Sequence, residues 1–159
     1  MAGRMSNYWK VLRRDKGLLL EALFYLWISR LLVVMRPFKK IAPLLGTPGI
    51  ETNRQTNEKD RQTLYRISSS VITVAGHTPW PSKCLVQVMA AKRMLRRRGI
   101  PSTVYLGLCK NEGKEMIAHA WIRSGDVFLT SIKGKKKYSV VSIFGDTEDV
   151  RDKQRGNQP

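Results

Sequence analysis

Residues 77–102, HTPWPSKCLVQVMAAKRMLRRRGIPS, constrain the chain more than any other stretch, because both ends are punctuated. Pro79 and Pro81 stop a helix from running in from upstream, Ser82 is a candidate N-cap, and Gly99 followed by Pro101 ends the helix. Between these marks Leu85, Val88, Met89, Ala91 and Leu95 form an inner stripe at helical spacing. Lys92, Arg93, Arg96, Arg97 and Arg98 collect toward the C-terminal end, where cations suit the helix dipole. Cys84 therefore lies in the first turn of a helix.

Upstream, residues 18–35 (LLLEALFYLWISRLLVVM) are nearly all apolar and long enough to raise a membrane-spanning reading. Glu21 and Arg30 interrupt the run, and either charge at bilayer depth costs roughly 2 to 3 kcal/mol on insertion scales. The expectation is a helix buried on most sides, against the domain or a partner, and ended by Pro37. Its apolar surface exceeds what one small core face needs, which suits an interaction role. From residue 46 the composition shifts to GTPGIETNRQTNEKD, a connection, and 61–74 place Leu64, Ile67, Val71 and Val74 at helical spacing. Strand-like runs follow at 103–108, 116–123 and 127–132, the last two joined by the hairpin signal Ser124-Gly125-Asp126. A further strand is expected over 138–144, after the basic loop KGKKK. The layout is then a helical element over 1–46, a linker over 47–60, a core over 61–145 and a fraying polar tail over 146–159.

With 159 residues, 42% hydrophobic, the chain is one domain's worth and can bury its own core. Its formal net charge of +17 sits on a folded surface and favours an acidic partner: nucleic acid, anionic membrane or an acidic peptide. Arg93, Arg96, Arg97 and Arg98 with Lys133, Lys135, Lys136 and Lys137 can form such a patch, but a solvated face is the commoner meaning of a charge run. Aromatic residues are not interleaved with the arginines as a single-strand groove would require, which weakens nucleic acid as a partner. Two cysteines are too few for a disulfide framework and agree with reduced thiols in the cytoplasm. No small-residue cleavage site closes the N-terminal apolar run, so the chain reads as unprocessed. Two Cys and two His in no ligand spacing, and no Gly-rich phosphate loop, lead us to expect neither metal nor cofactor.

Helix N-termini are among the places where thiols become nucleophilic, so Cys84 stands where thiol chemistry would put it. A free cysteine more often simply packs, and Cys109 is read that way. His119 lies in the run Ile117-Ala118-His119-Ala120-Trp121, pointing to one face with Ile117 and Trp121. A lone strand histidine is usually structural. A cysteine that opens a helix, followed by a hairpin carrying histidine, is however the chain order of papain-like and transglutaminase-like thiol enzymes.

A third group would fix the imidazole tautomer. Asp126 is the only acid in the hairpin, but at about 3.4 Å per residue a turn-tip carboxylate sits more than roughly 10 Å from His119. Thr130 or Ser131, which face His119 if the hairpin folds at 124–126, and a Cys-His dyad are the alternatives. Backbone N–H groups at the start of the Cys84 helix are natural oxyanion donors. Trp80 either walls the site, donates its indole N–H or packs, and His77 reads as a loop histidine.

The ordered set PW, Cys-Leu, MLRRRGIP, LGL and AHAW resembles the lasso-peptide leader peptidases, the stand-alone B-type proteins. The likeness extends to LLLEALFYLWISRLLVVMRPFKKIAPLLG and to GKKKYSVVSIF, so it covers most of the chain. It implies an α+β transglutaminase-like (papain-like) cysteine protease core: a helix bearing Cys84 on a small antiparallel sheet, with an N-terminal helical element. It further implies that Cys84 is the nucleophile and His119 the general base, in an enzyme that cuts the leader from a ribosomally made precursor. A small leader-binding protein and a separate ATP-dependent cyclase would be its partners. Some relatives carry Asp near positions 130 and 131, where this chain has Thr130 and Ser131. The rival readings are a basic nucleic-acid or anionic-membrane binding module with a structural Cys84, and a transglutaminase-fold acyltransferase.

Overall fold

A computed structural model describes residues 13–130 and 138–147. In chain order the elements are α1 (Lys16–Met35), α2 (Phe38–Leu45), β1 (Thr47–Pro48), α3 (Glu58–Ala75), α4 (Cys84–Arg97), β2 (Thr103–Lys110), β3 (Met116–Ser124), β4 (Val127–Phe128) and β5 (Ser139–Gly145). The strands form one antiparallel sheet in the order β1-β5-β2-β3-β4, and the fold is α+β.

Helix α4 is the centre of the core. Val86, Val88, Met89, Ala90, Ala91, Met94 and Leu95 are all buried, because α1 and α3 pack on one side of the helix and β3 on the other. Val104, Ala120, Ile122 and Phe144 complete the core from the sheet. Sequence punctuation located α4 well, but Ser82 is not its N-cap. Lys83 holds that position without a side-chain cap, and the Ser82 hydroxyl instead shares a hydrogen bond with the Thr78 hydroxyl.

Helix α1 departs from the expected burial on most sides. Only Ala22, Leu26 and Ser29, one stripe at helical spacing, are buried, since α3 and α4 cover a single side. Glu21 interrupts the apolar run for a structural reason: its two carboxylate oxygens accept bonds from both Nη atoms of Arg98, at 2.8 and 2.7 Å. Arg98 is therefore no solvated cation. Nor is Arg96, which donates to Asp146 and to the Leu44 carbonyl at the end of α2. The basic end of α4 ties elements together more than it makes a free patch, while Lys133, Lys135, Lys136 and Lys137 lie outside the described residues.

The connection over 47–60 is held in place by Arg123, whose side chain is 2% exposed. Arg123 donates to Glu51, to the carbonyls of Thr52, Asn53 and Gly125, and to the Tyr105 hydroxyl. The Thr52 amide adds a bond to Thr103 Oγ1 at 2.9 Å. At the hairpin Gly125 has φ +56°, and a Cβ there would fall 1.7 Å from Thr56 Oγ1, so the turn and the strap formed by residues 51–56 admit only glycine at this point. The strand expected over 127–132 is shorter, ending at Phe128, although the Leu129 amide still donates to the Ile122 carbonyl at 3.0 Å.

Candidate active site

Cys84 is the first residue of α4, half-buried and packed at the margin of the core. Because the helix N-terminus lacks a side-chain cap, its leading amides are not spent on one. His119 arrives from β3, paired in register with Gly107 of β2. Alternation along β3 sends Ala120 and Ile122 into the core under α4, and His119, Trp121 and Arg123 to the other face.

On that face the His119 ring lies 5.9 Å from the Trp121 ring and 5.1 Å from the Tyr138 ring, with Tyr105 stacked on Trp121 at 5.7 Å. Gly107 makes room for this cluster: a Cβ there would stand 2.9 Å from the Trp121 ring and 3.0 Å from Tyr138 Cβ. A glycine inside a strand marks such a close approach. Burial, first, and a hydrogen bond with the Cys109 thiol push the Tyr138 phenol above its ordinary range. Tyr138 thus packs beside the His119 ring. Sequence reasoning missed it, since at the head of the apolar run YSVVSIF it reads as one more strand residue.

Asp126 does not stand beside His119. It lies in the turn after Ser124, and at about 3.4 Å per residue the β3 backbone from His119 to Ser124 already measures roughly 17 Å. Its carboxylate accepts from Thr56 Oγ1 at 2.7 Å and Arg61 Nη2 at 3.1 Å, and those bonds, Thr56 first, hold it below the usual aspartate range. The Thr130 hydroxyl accepts from the Ile122 amide at 3.3 Å. Ser131 lies outside the described residues. His77 Nδ1 bonds to the Thr73 carbonyl at 2.8 Å, which is the loop role expected of it.

Trp80, four residues before Cys84, has a buried indole Nε1 with no hydrogen-bond partner among the described residues. A buried unpaired N–H is costly. Beyond Trp121, a cavity of about 280 Å³ is lined by Tyr105, Arg123, Arg54, Phe128 and Val140. Trp121, Gly125 and Asp126 line it too, and neither Cys84 nor His119 does.

The transglutaminase-like superfamily matches residues 30–143. The matched span opens inside α1, passes through α4 and β3, and so contains Cys84 and His119 in the order already described. No curated protein and no solved structure matches the chain. Superfamily membership is compatible with cysteine peptidase or acyltransferase chemistry, the two uses of a thioester, and a match over the greater part of the sequence places this chain in the transglutaminase-like superfamily.

Proposed function

We propose that the chain is a cysteine peptidase that removes the leader from a ribosomally synthesised lasso-peptide precursor before macrolactam closure, working in the cytoplasm with a small leader-binding protein. The observation that carries this reading is the order of a helix-opening thiol, Cys84, and a strand histidine, His119, within the span that matches the transglutaminase-like superfamily. The ordered motifs of the sequence, from Pro79-Trp80 to His119-Ala120-Trp121, support the narrower assignment to leader removal.

In this mechanism His119 takes the proton of the Cys84 thiol, the thiolate attacks the scissile carbonyl, and the oxyanion is received by the leading amides of α4 together with the Trp80 indole N–H. His119 protonates the departing amine, leaving a thioester on Cys84. It then takes a proton from water as that water cleaves the thioester. The products are a free leader carboxylate and a core peptide with a new N-terminal amine, the group a cyclase would use.

The test is mass spectrometry of the precursor after incubation with this protein and its leader-binding partner, using wild type, Cys84→Ala and His119→Ala. A single leader cut made only by wild type is the expected result. Equal cutting by all three sinks the assignment, and leader transferred to an added amine in place of water makes the protein an acyltransferase.

A further inference from the structure

Helix α1 has a second face that no described residue covers. Leu20, Phe24, Trp27, Leu31 and Val34 recur at helical spacing opposite the buried stripe of Ala22, Leu26 and Ser29. Leu20 is 68% and Val34 64% exposed, and the stripe runs about 21 Å at 1.5 Å per residue. Exposed apolar area of this extent, in one unbroken line, marks an interaction surface.

The charges around it say what the surface meets. Arg13, Arg14 and Lys16 precede the stripe, and Arg36, Lys39 and Lys40 follow it; all six are exposed and enter no ion pair among the described residues. The acids near this helix are already taken, Asp15 by Arg66 and Glu21 by Arg98. An aromatic and aliphatic stripe with free cations at both ends is the pattern of a helix lying in the plane of an anionic bilayer surface. A second copy of a chain carrying +17 is repelled, which disfavours self-association through this face.

We propose that α1 docks the protein on anionic lipid, with its outer stripe sunk among the headgroups and its inner stripe still holding the domain. The helix is long and apolar enough to cross a membrane by length and composition. It lies flat instead, because spanning would tear Leu26 and Ser29 from the core and break the Glu21–Arg98 pair. The proposal stands independently of the peptidase reading.

Vesicle co-sedimentation of the full chain tests it, with phosphatidylcholine alone against phosphatidylcholine holding about a third phosphatidylglycerol. Wild type is expected to sediment with the anionic vesicles, and tryptophan fluorescence to be quenched by lipids brominated near the headgroup. The double variant Phe24→Asp/Trp27→Asp should lower the partition coefficient by about tenfold or more. Leu20→Asp and Val34→Asp, at the most exposed ends of the stripe, should each weaken binding several-fold and serve if the double variant melts early by circular dichroism. Wild type left in the supernatant overturns the proposal. So does binding that all variants retain, which would be the diffuse attraction of a basic protein. A lipid-free dimer that Phe24→Asp dissolves also overturns it, assigning the face to a second copy.

Discussion

Lys92 Nζ lies 2.8 Å from Asp146 Oδ2, and both side chains are 1% exposed. Asp146 also accepts from the Ser102 amide at 3.0 Å, the Ser102 hydroxyl at 3.2 Å and Arg96 Nε at 3.0 Å, while Lys92 gives a second bond to the Ser102 carbonyl. One sealed ion pair thereby joins α4, the start of β2 and the residue after β5. Burial by itself would raise the Asp146 carboxyl, but Lys92 and Arg96 outweigh it and hold the group below the usual aspartate range. Burial pushes Lys92 down to about 8 against the pull of Asp146, so both groups are charged at neutral pH.

Asp146→Asn leaves a buried ammonium without its counter-charge, and we expect a loss of about 3 kcal/mol in urea unfolding. Lys92→Met combined with Asp146→Asn removes both charges and should recover part of that loss. Because the folded carboxyl titrates below its ordinary 3.8, its contribution is complete above that value and disappears as pH falls through the folded range. Wild type should therefore lose stability on acidification below 3.8 more steeply than Asp146→Asn.

Gly107→Ala puts a methyl group against the Trp121 ring and Tyr138, and the cluster that seats His119 must shift. The cost in stability is about 1 to 3 kcal/mol, typical of overpacking. The proposed peptidase activity, compared at a temperature well below the melting point, should fall further than the folded fraction does. Full activity in the folded variant would show that the aromatic cluster does not position His119.

Trp80→Phe keeps an aromatic ring and removes only the unpartnered indole N–H. If that N–H receives the oxyanion, kcat drops by about a hundredfold or more while KM holds, the range seen on deleting one oxyanion donor. An unchanged kcat with unchanged or higher melting temperature would make Trp80 a packing residue.

Asp126→Asn should leave kcat/KM within a few-fold of wild type, since its carboxylate serves Thr56 and Arg61. A residue that orients the catalytic imidazole would cost about four orders of magnitude on the same change. A loss of that size would return Asp126 to the site.

What the sequence made legible was local. The α4 boundaries followed from Pro79, Pro81 and Gly99, and the hairpin from Ser124-Gly125-Asp126, because those residues impose backbone geometry where they stand. Cys84 and His119 could be singled out because element order is carried by the chain itself. The partners of charged groups were not legible. Arg98 meets Glu21 across 77 positions, and Lys92 meets Asp146 across 54, so the cluster on α4 read as solvated and Asp146 as part of a polar tail. Tyr138 escaped notice for the same reason, since only the register of β5 on β2 brings it to His119.

The strap over residues 51–56 carries a consequence for handling the chain. Loops of polar residues between elements are where proteases nick and where tags are inserted without harm. Here Arg123 and Thr103 grip residues 51–53 while Asp126 holds Thr56, so a peptide bond broken between them would release neither half. The fragments should travel as one particle in gel filtration and part only in denaturant, and a fluorophore or epitope is better placed elsewhere.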